Sequence, residues 1–351
     1  MKNFVQQGRR MVKSILSAVA CQFRFVEPWE NQRHQIRSGE RRLYVVGHHL
    51  PVGDFSLALR QGISPYQMIS GKRFEEQIKW LLRDFEPVTL QEGLRYLEGG
   101  PLRHKSPVVL TFDDGYRTVY EIAYPILKRH GVPATLFVCT DYVGTDRLFI
   151  HDRLFHLLWR GHRIGLSLER FLPRGIETSR GQRPQPMTRF LLERLAEAEV
   201  LALIGRLEEV LSVLPPDYPD LLRVLTWEEL HEMDRGGVTV GAHTKGHRIL
   251  TRHPADRIQE ELSESKRVLE RNLGREVAHV AYPNGAWDPE VVRIAKSAGY
   301  QSGITTQGGP NGSAADLLTL KRTVLCEWAT RGGGRNHSDH VGTCLVKGLF
   351  L

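Results

Sequence analysis

Pro107-Val108-Val109-Leu110-Thr111-Phe112-Asp113-Asp114-Gly115 is a near-continuous apolar run that stops on two acids and a glycine. Without polar alternation, and bounded by a turn signal, it reads as a parallel strand buried on both faces. Adjacent acids in an extended strand point to opposite sides. The pair can therefore serve one centre only if the chain breaks there, and Gly115 permits that break. One acid is then available to a cation and its neighbour to a proton. Standing alone, Asp-Asp-Gly is more often a plain turn, so the reading depends on what the rest of the chain supplies.

A second apolar run, residues 238–242, closes on His243-Thr244-Lys245-Gly246-His247. The i,i+4 spacing turns both imidazoles to one side if the segment winds helically. Asp114, His243 and His247 would then offer three protein ligands and leave positions open for water and substrate, as in catalytic zinc sites. Asp113 is left to move protons. A single His pair is more often surface or core filler. The two motifs at two strand ends are more specific together than either is alone.

The flanking sequence repeats a strand-then-helix rhythm. Residues 43–47 read as a first buried strand running into His48 and His49, and 74–85 has helical spacing. A helix over 120–130 stops at Gly131 before a strand over 134–138. Further on, 254–273 is a long charged helix, 277–282 a strand, 289–297 a helix and 301–305 a last clear strand, with one more at 318–324. Between about 146 and 225 the rhythm changes, with helical periodicity at 151–160 and 189–214 around a Pro/Gly/Arg-rich stretch, 173–186. These units predict an α/β fold: a distorted or incomplete (β/α) barrel with a helical insertion, its site at the C-terminal ends of the strands. Asp113, Asp114, His243 and His247 all fall at such ends. The expected organisation is an N-terminal arm over 1–42, the barrel over 43–330 with its insertion at about 146–225, and a flexible tail over 331–351. That tail holds Gly332-Gly333-Gly334 and His337-Ser338-Asp339-His340.

A hydrophobic content of 41% with 25% charged residues suits a globular protein with an ample core. The net charge of +8 is unevenly placed: residues 1–42 carry nine Lys or Arg against three Glu, which is +6 of the total. Basic charge concentrated in an arm, rather than striped over a folded domain, argues against nucleic acid as a partner. The arm's apolar residues, among them Phe4, Met11, Ile15, Leu16 and Phe23, would let it lie on an anionic membrane surface. Packing on the domain explains the pattern equally well. Ile15–Ala20 is short for the core of an export signal, so a cytoplasmic protein is expected over an exported one, with membrane contact through the arm as one of the two readings of its pattern. Four scattered cysteines without a C-x-x-C suggest neither a disulfide framework nor a metal clip.

On TFDDG at 111–115 and the His pair at 243 and 247, the chain resembles the polysaccharide deacetylases of carbohydrate esterase family four. The resemblance covers about residues 43–325. It implies a distorted (β/α) barrel that removes N-acetyl groups from an N-acetylhexosamine oligomer, polymer or lipid-linked glycan with a divalent metal, most often zinc. By position, Asp113 is similar to the family's catalytic base, and Asp114, His243 and His247 to its metal ligands. A third motif survives in part as Ala281-Tyr282-Pro283-Asn284-Gly285, where Tyr282, Pro283, Asn284 and Gly285 would form the turn that contacts substrate and oxyanion. Its arginine, which would orient the base, is replaced by Ala281. The late motifs that supply the general acid are not found. The chain thereby resembles a divergent branch linked to exopolysaccharide biosynthesis, and His48 or His49, at the mouth of the first strand, either supplies the acid or shapes the pocket and contacts sugar. Asp141, His151 and Asp152 could line a sugar cleft, although solvated loop positions are the default. Trp227, Trp287 and Trp328 could stack on sugar rings, although core packing is the commoner fate. The alternatives are an O-deacetylase or deformylase with the same metal site, or a carbohydrate-binding protein with impaired catalysis.

Overall fold

The computed structural model describes residues 41–101, 104–172, 183–214, 217–330 and 337–348. Apart from Arg41 and Arg42, the basic arm lies outside them, as does most of the 173–186 stretch. Among the described residues no helix is long and apolar enough to cross a membrane.

β1 (Arg42–His48) is followed by a small parallel pair, β2 (Leu50–Val52) and β3 (Met68–Ser70), with α1 (Phe55–Arg60) between them. α2 (Gly71–Asp84) starts on Ser70, whose hydroxyl accepts from the Arg73 amide. After β4 (Glu86–Pro87), a reciprocal cap between Thr89 and Glu92 opens α3 (Leu90–Leu97). β5 (Pro107–Phe112) is buried at every position. α4 (Tyr124–His130) stops where Gly131 turns left-handed, and β6 (Ala134–Val138) follows. The insertion contributes α5 (Ile150–Arg163), α6 (Pro184–Arg194) and α7 (Glu197–Leu211). The rhythm then resumes with α8 (Trp227–Arg235), β7 (Thr239–Ala242), α9 (Ala255–Leu273), β8 (His279–Ala281), α10 (Pro289–Ser297) and β9 (Ser302–Ile304). β10 (Asn311–Gly312), β11 (Thr323–Val324) and α11 (Asp339–Val346) complete the described chain.

Nine of these strands form one sheet in the order β10-β1-β5-β6-β7-β8-β9, with β11 also on β1 and β4 on β5. Only β10 pairs antiparallel. A bridge from Ile304 to Leu320 brings the chain beyond β9 back towards β11, beside β1. The sheet is thereby curled into an incompletely closed barrel.

Strand periodicity sorts the side chains into two sets. Leu43 and Val45 of β1, Val109 of β5, Phe137 of β6, Ala281 of β8 and Ile304 of β9 pack together with Leu90, Leu94 and Leu97 of α3. This is the inner set. Tyr44, Val46, Val108, Leu110, Phe112, Leu136, Val138, Val240 and Val280 pack in the layer shared with the other helices. Counting by twos past the strand ends puts Gly47, His49, Thr111, Asp113 and His243 on the inner side, and His48 and Tyr282 on the outer. The insertion has a core of its own, in which Leu154, Leu157 and Leu158 of α5 meet Leu191 of α6 and Leu203, Ile204 and Leu207 of α7.

The tail expected to be flexible is corrected in its described part. Ser338 caps α11, Trp80 Nε1 donates to Thr343 Oγ1 at 3.2 Å, and Val346 joins the main core. Its glycines and histidines suggested loop, but the close approach of Gly342 to the Trp80 ring is what lets the helix dock.

Candidate metal centre

β5 ends at Phe112, and Asp114 (φ 71°) and Gly115 (φ 81°) then turn left-handed. This is the break that two adjacent acids need to serve one centre. Gly115 is also required for packing, since a Cβ there would lie 2.9 Å from Val138 Cγ1. On the neighbouring strand, His243 follows β7 directly and its amide donates to Val138 O at 2.8 Å. Residues 243–247 form an irregular loop, which corrects the expected helical turn. The rings converge because Thr244 (φ 63°) and His247 (φ 59°) are left-handed. The loop is held from outside: Gly246 N donates to Glu261 Oε2 at 2.7 Å and Asp141 N to Lys245 O at 2.9 Å. Five described non-glycine residues have positive φ, and four of them, Asp114, Thr244, His247 and Asn284, lie at strand ends on this face. Each such residue costs about 1–3 kcal/mol, and strain of this kind clusters at functional sites.

Asp114 Oδ1 lies 3.5 Å from His243 Nε2 and 3.2 Å from His247 Nε2, and the three ligand atoms all fall within 4.8 Å of one another. His243 Nδ1 donates to Ala281 O at 2.7 Å, which fixes the tautomer and leaves the Nε2 lone pair facing Asp114. Both Asp114 oxygens are buried and neither accepts a well-formed hydrogen bond. Burial would raise the Asp114 carboxyl, but His247, His49 and His243 hold it below the ordinary range. Burial lowers His243 to about 4, favouring the neutral ring that ligates. One ionised carboxylate and two imidazoles, inward-facing and lacking donors, fit a divalent cation.

Asp113 is in the opposite condition. Arg322 NH1 donates to its Oδ1 at 2.6 Å and NH2 to its Oδ2 at 2.5 Å, and NH1 also reaches Thr111 Oγ1 at 3.1 Å. Arg322 is fully buried, in space that Gly47 leaves free: a Cβ at 47 would lie 2.9 Å from Arg322 Cδ. Burial pushes Asp113 up, but Arg322 foremost, with His243 and His49, keeps it below the usual carboxylate range. The arginine replaced by Ala281 is thus supplied from position 322, between β10 and β11.

Of the two histidines expected to deliver a proton, only His49 faces this centre, with Nε2 3.5 Å from Asp113 Oδ2. His48 turns to the outer layer. Its ring packs edge-on against Phe74, its Nε2 meets Gln77 Oε1 at 2.9 Å, and burial lowers it to about 4. Tyr282 is corrected in the same way: its hydroxyl donates to Leu318 O at 2.9 Å, in the core. Pro283 is buried, whereas Asn284 and Gly285 form the turn beside Ala281, the residue to which His243 is tied.

Solvated positions were the default for His151 and Asp152, and the structure corrects it. The start of α5 places the His151 ring 5.0 Å from that of His247, stacked on Phe149. Tyr116 donates to Asp152 Oδ2 at 2.7 Å, and its hydroxyl lies 3.2 Å from His151 Nε2. Burial takes His151 down to about 3 and Asp152 up to about 7. The available signal was the apolar spacing at 154, 155, 157 and 158, which puts 151 and 152 in the first turn of a docked helix. Trp287 and Trp328 are about two-fifths exposed, while Trp227 packs against the main core.

A family model described as polysaccharide deacetylase matches residues 102–167 and 182–303, more than half of the chain. YxkH of Bacillus subtilis (strain 168), a candidate polysaccharide deacetylase by name, is 22% identical over 252 residues, covering 72% of this chain and 63% of its own. The poly-beta-1,6-N-acetyl-D-glucosamine N-deacetylase of Staphylococcus aureus (strain MSSA476) is 46% identical over 87 residues, covering 24% of this chain and 30% of its own. The matched region thus spans less than two thirds of either curated relative. Among solved structures, the deacetylase PplD of Streptococcus pyogenes, in complex with acetate, is 19% identical with a TM-score of 0.56 over 88% of this chain and 99% of that one. IcaB from Ammonifex degensii is 19% identical with a TM-score of 0.50, covering 81% and 92% of the two chains. At these identities the structural likeness establishes the fold.

Proposed function

The chain belongs to the polysaccharide deacetylase family, and from that premise we propose that it removes N-acetyl groups from an N-acetylhexosamine oligo- or polysaccharide. It would do so with a divalent cation, zinc being the one this donor set suits best, held by Asp114, His243 and His247. The observation that carries the reading is the pairing of two buried neighbours, Asp113 held at both oxygens by Arg322 and Asp114 facing two imidazoles with no well-formed hydrogen bond on either oxygen. The name of the Staphylococcus aureus relative supports the amide and the sugar.

Such a cation, when bound, would polarise the acetyl carbonyl and favour attack by water. The remaining steps fall to the chain's own groups. Asp113 stays ionised beside Arg322 and takes the proton of the attacking water as general base. The C–N bond then breaks, releasing acetate and a free amine, and the leaving nitrogen must gain a proton. His49 is assigned that delivery because it faces Asp113 and retains some solvent access. The Asn284–Gly285 turn is assigned the backbone donor for the developing oxyanion. His151 and Asp152 would wall the site on the side of His247.

Acetate release from N-acetylglucosamine oligomers, with new amines and hydroxyls counted on the product, tests the proposal. Acetate and amine in equal amounts, abolished by chelation and restored by zinc, is the expected result. Acetate with new hydroxyls instead would assign the ester reaction. No acetate from the zinc-restored protein would sink the reading.

A further inference from the structure

A cavity of about 410 Å³ opens between the helical insertion and the loop that carries His247. Asp141 comes from the end of β6, Arg153 from α5, Glu197 and Leu201 from α7, and Gly246 and Arg248 from the metal loop. Gly246 and Arg248 flank His247 in sequence, and successive Cα atoms are about 3.8 Å apart. The cavity therefore shares the loop that carries His247, although none of the metal ligands lines it. Glu197 pairs with Arg248, an ion pair that joins the insertion directly to the metal loop.

The lining decides the ligand class. Carboxylates and guanidiniums are both present, and they are largely matched: Glu197 with Arg248, and Arg153 with Glu208 at 2.7 Å. An anionic ligand would face Asp141 and Glu197, and a cationic one would face Arg153 and Arg248. A neutral polyhydroxylated ring can donate to the first pair and accept from the second, and lay its C–H face on Leu201. The volume lies in the range of small-ligand sites.

We propose that this cavity is a subsite for a neutral sugar unit of the same glycan strand whose acetyl group lies at the metal centre. The insertion thereby makes the protein a reader of chain length, acting on oligomers in preference to single sugars. The proposal takes the identity of the strand from the deacetylase reading, so its test is made on binding, with the protein chelated so that the acetyl groups stay in place. The full chain is titrated calorimetrically with the dimer and the hexamer of N-acetylglucosamine, in β-1,4 and β-1,6 forms, as wild type, Leu201→Trp and Glu197→Gln. Leu201 is 41% exposed, so an indole there fills the cavity without entering the core. Glu197→Gln keeps the side-chain shape and removes only the charge. In the wild type, the hexamer of at least one linkage should bind at least tenfold more tightly than the dimer, and that ratio should approach one in Leu201→Trp and fall in Glu197→Gln. Equal affinities in the wild type, no binding of any oligomer, or a ratio that survives both substitutions overturns the proposal. Acetate release is read separately, on the same proteins after zinc is restored. Length-dependent binding without acetate sinks the reaction and keeps the subsite, whereas acetate without length dependence sinks the subsite alone.

Discussion

Asp113 and Asp114 are neighbours in sequence and equally buried, yet Arg322 grips both oxygens of the first, whereas neither oxygen of the second accepts a well-formed hydrogen bond and only two imidazoles stand near it. Taking a carboxylate out of water costs several kcal/mol unless a partner offsets it. At the Asp113 corner the chain supplies that partner from its own core, with Gly47 and Thr111 shaped around it. At the Asp114 corner it supplies two imidazoles, and the charge remains for something from outside. A closed ion pair and an open ligand set, one residue apart, are what a base beside a cation requires.

The largest effects should come from the open corner. Asp114→Asn and His243→Ala should each lose bound metal, measured by elemental analysis after dialysis, with acetate release falling to the level of the chelated wild type. Full metal content in either variant would break the contrast. At the closed corner, Asp113→Asn should keep its metal and lose about 10²–10⁴-fold in kcat, the usual contribution of a general base. Loss of metal in that variant would mean that both acids ligate.

The closed corner should dominate stability instead. Arg322→Leu leaves Asp113 buried and unpaired, and breaking such a pair costs about 3–5 kcal/mol. Gly47→Ala drives a methyl into Arg322 and should cost about 1–3 kcal/mol, as overpacking does. Urea unfolding of both variants checks the order. A Gly47→Ala protein as stable as the wild type would show that the guanidinium shifts freely, so that its grip on Asp113 is not set by packing.

Much of the open corner was legible because motifs at strand ends need little beyond the barrel to bring them together. The closed corner was not. Arg322 stands 209 residues from Asp113, close to a two-residue strand too short to show periodicity. The replacement of the family arginine by Ala281 therefore looked like a loss. The roles of His48 and His49 could have been told apart by counting in twos from Val45, which puts His49 with the inner set and His48 with the outer; treating them as equivalent ignored the strand period. His151 and Asp152 were hidden for another reason. The insertion was visible as helical, but nothing in its periodicity says which barrel strand its first turn will touch.

Asp152 gives the smallest and most specific test, because it is a third buried carboxylate with an intermediate degree of satisfaction: it accepts from Tyr116 and has His151 3.7 Å away. Burial raises it to about 7, so from an unfolded value of about 3.9 up to that pH the native state holds a proton the unfolded chain has released. The sign follows from linkage: this group's contribution is fully present below the unfolded value and is lost as pH rises through the folded one. Melting temperatures of the wild type should therefore carry a component that falls between about pH 4 and pH 7. In Asp152→Asn that component should vanish, leaving the variant relatively more stable at pH 8 than at pH 4. A wild-type profile with the same slope as the variant would mean that Asp152 is ionised in the folded protein, satisfied as fully by Tyr116 and His151 as Asp113 is by Arg322, and the gradation among the three carboxylates would disappear.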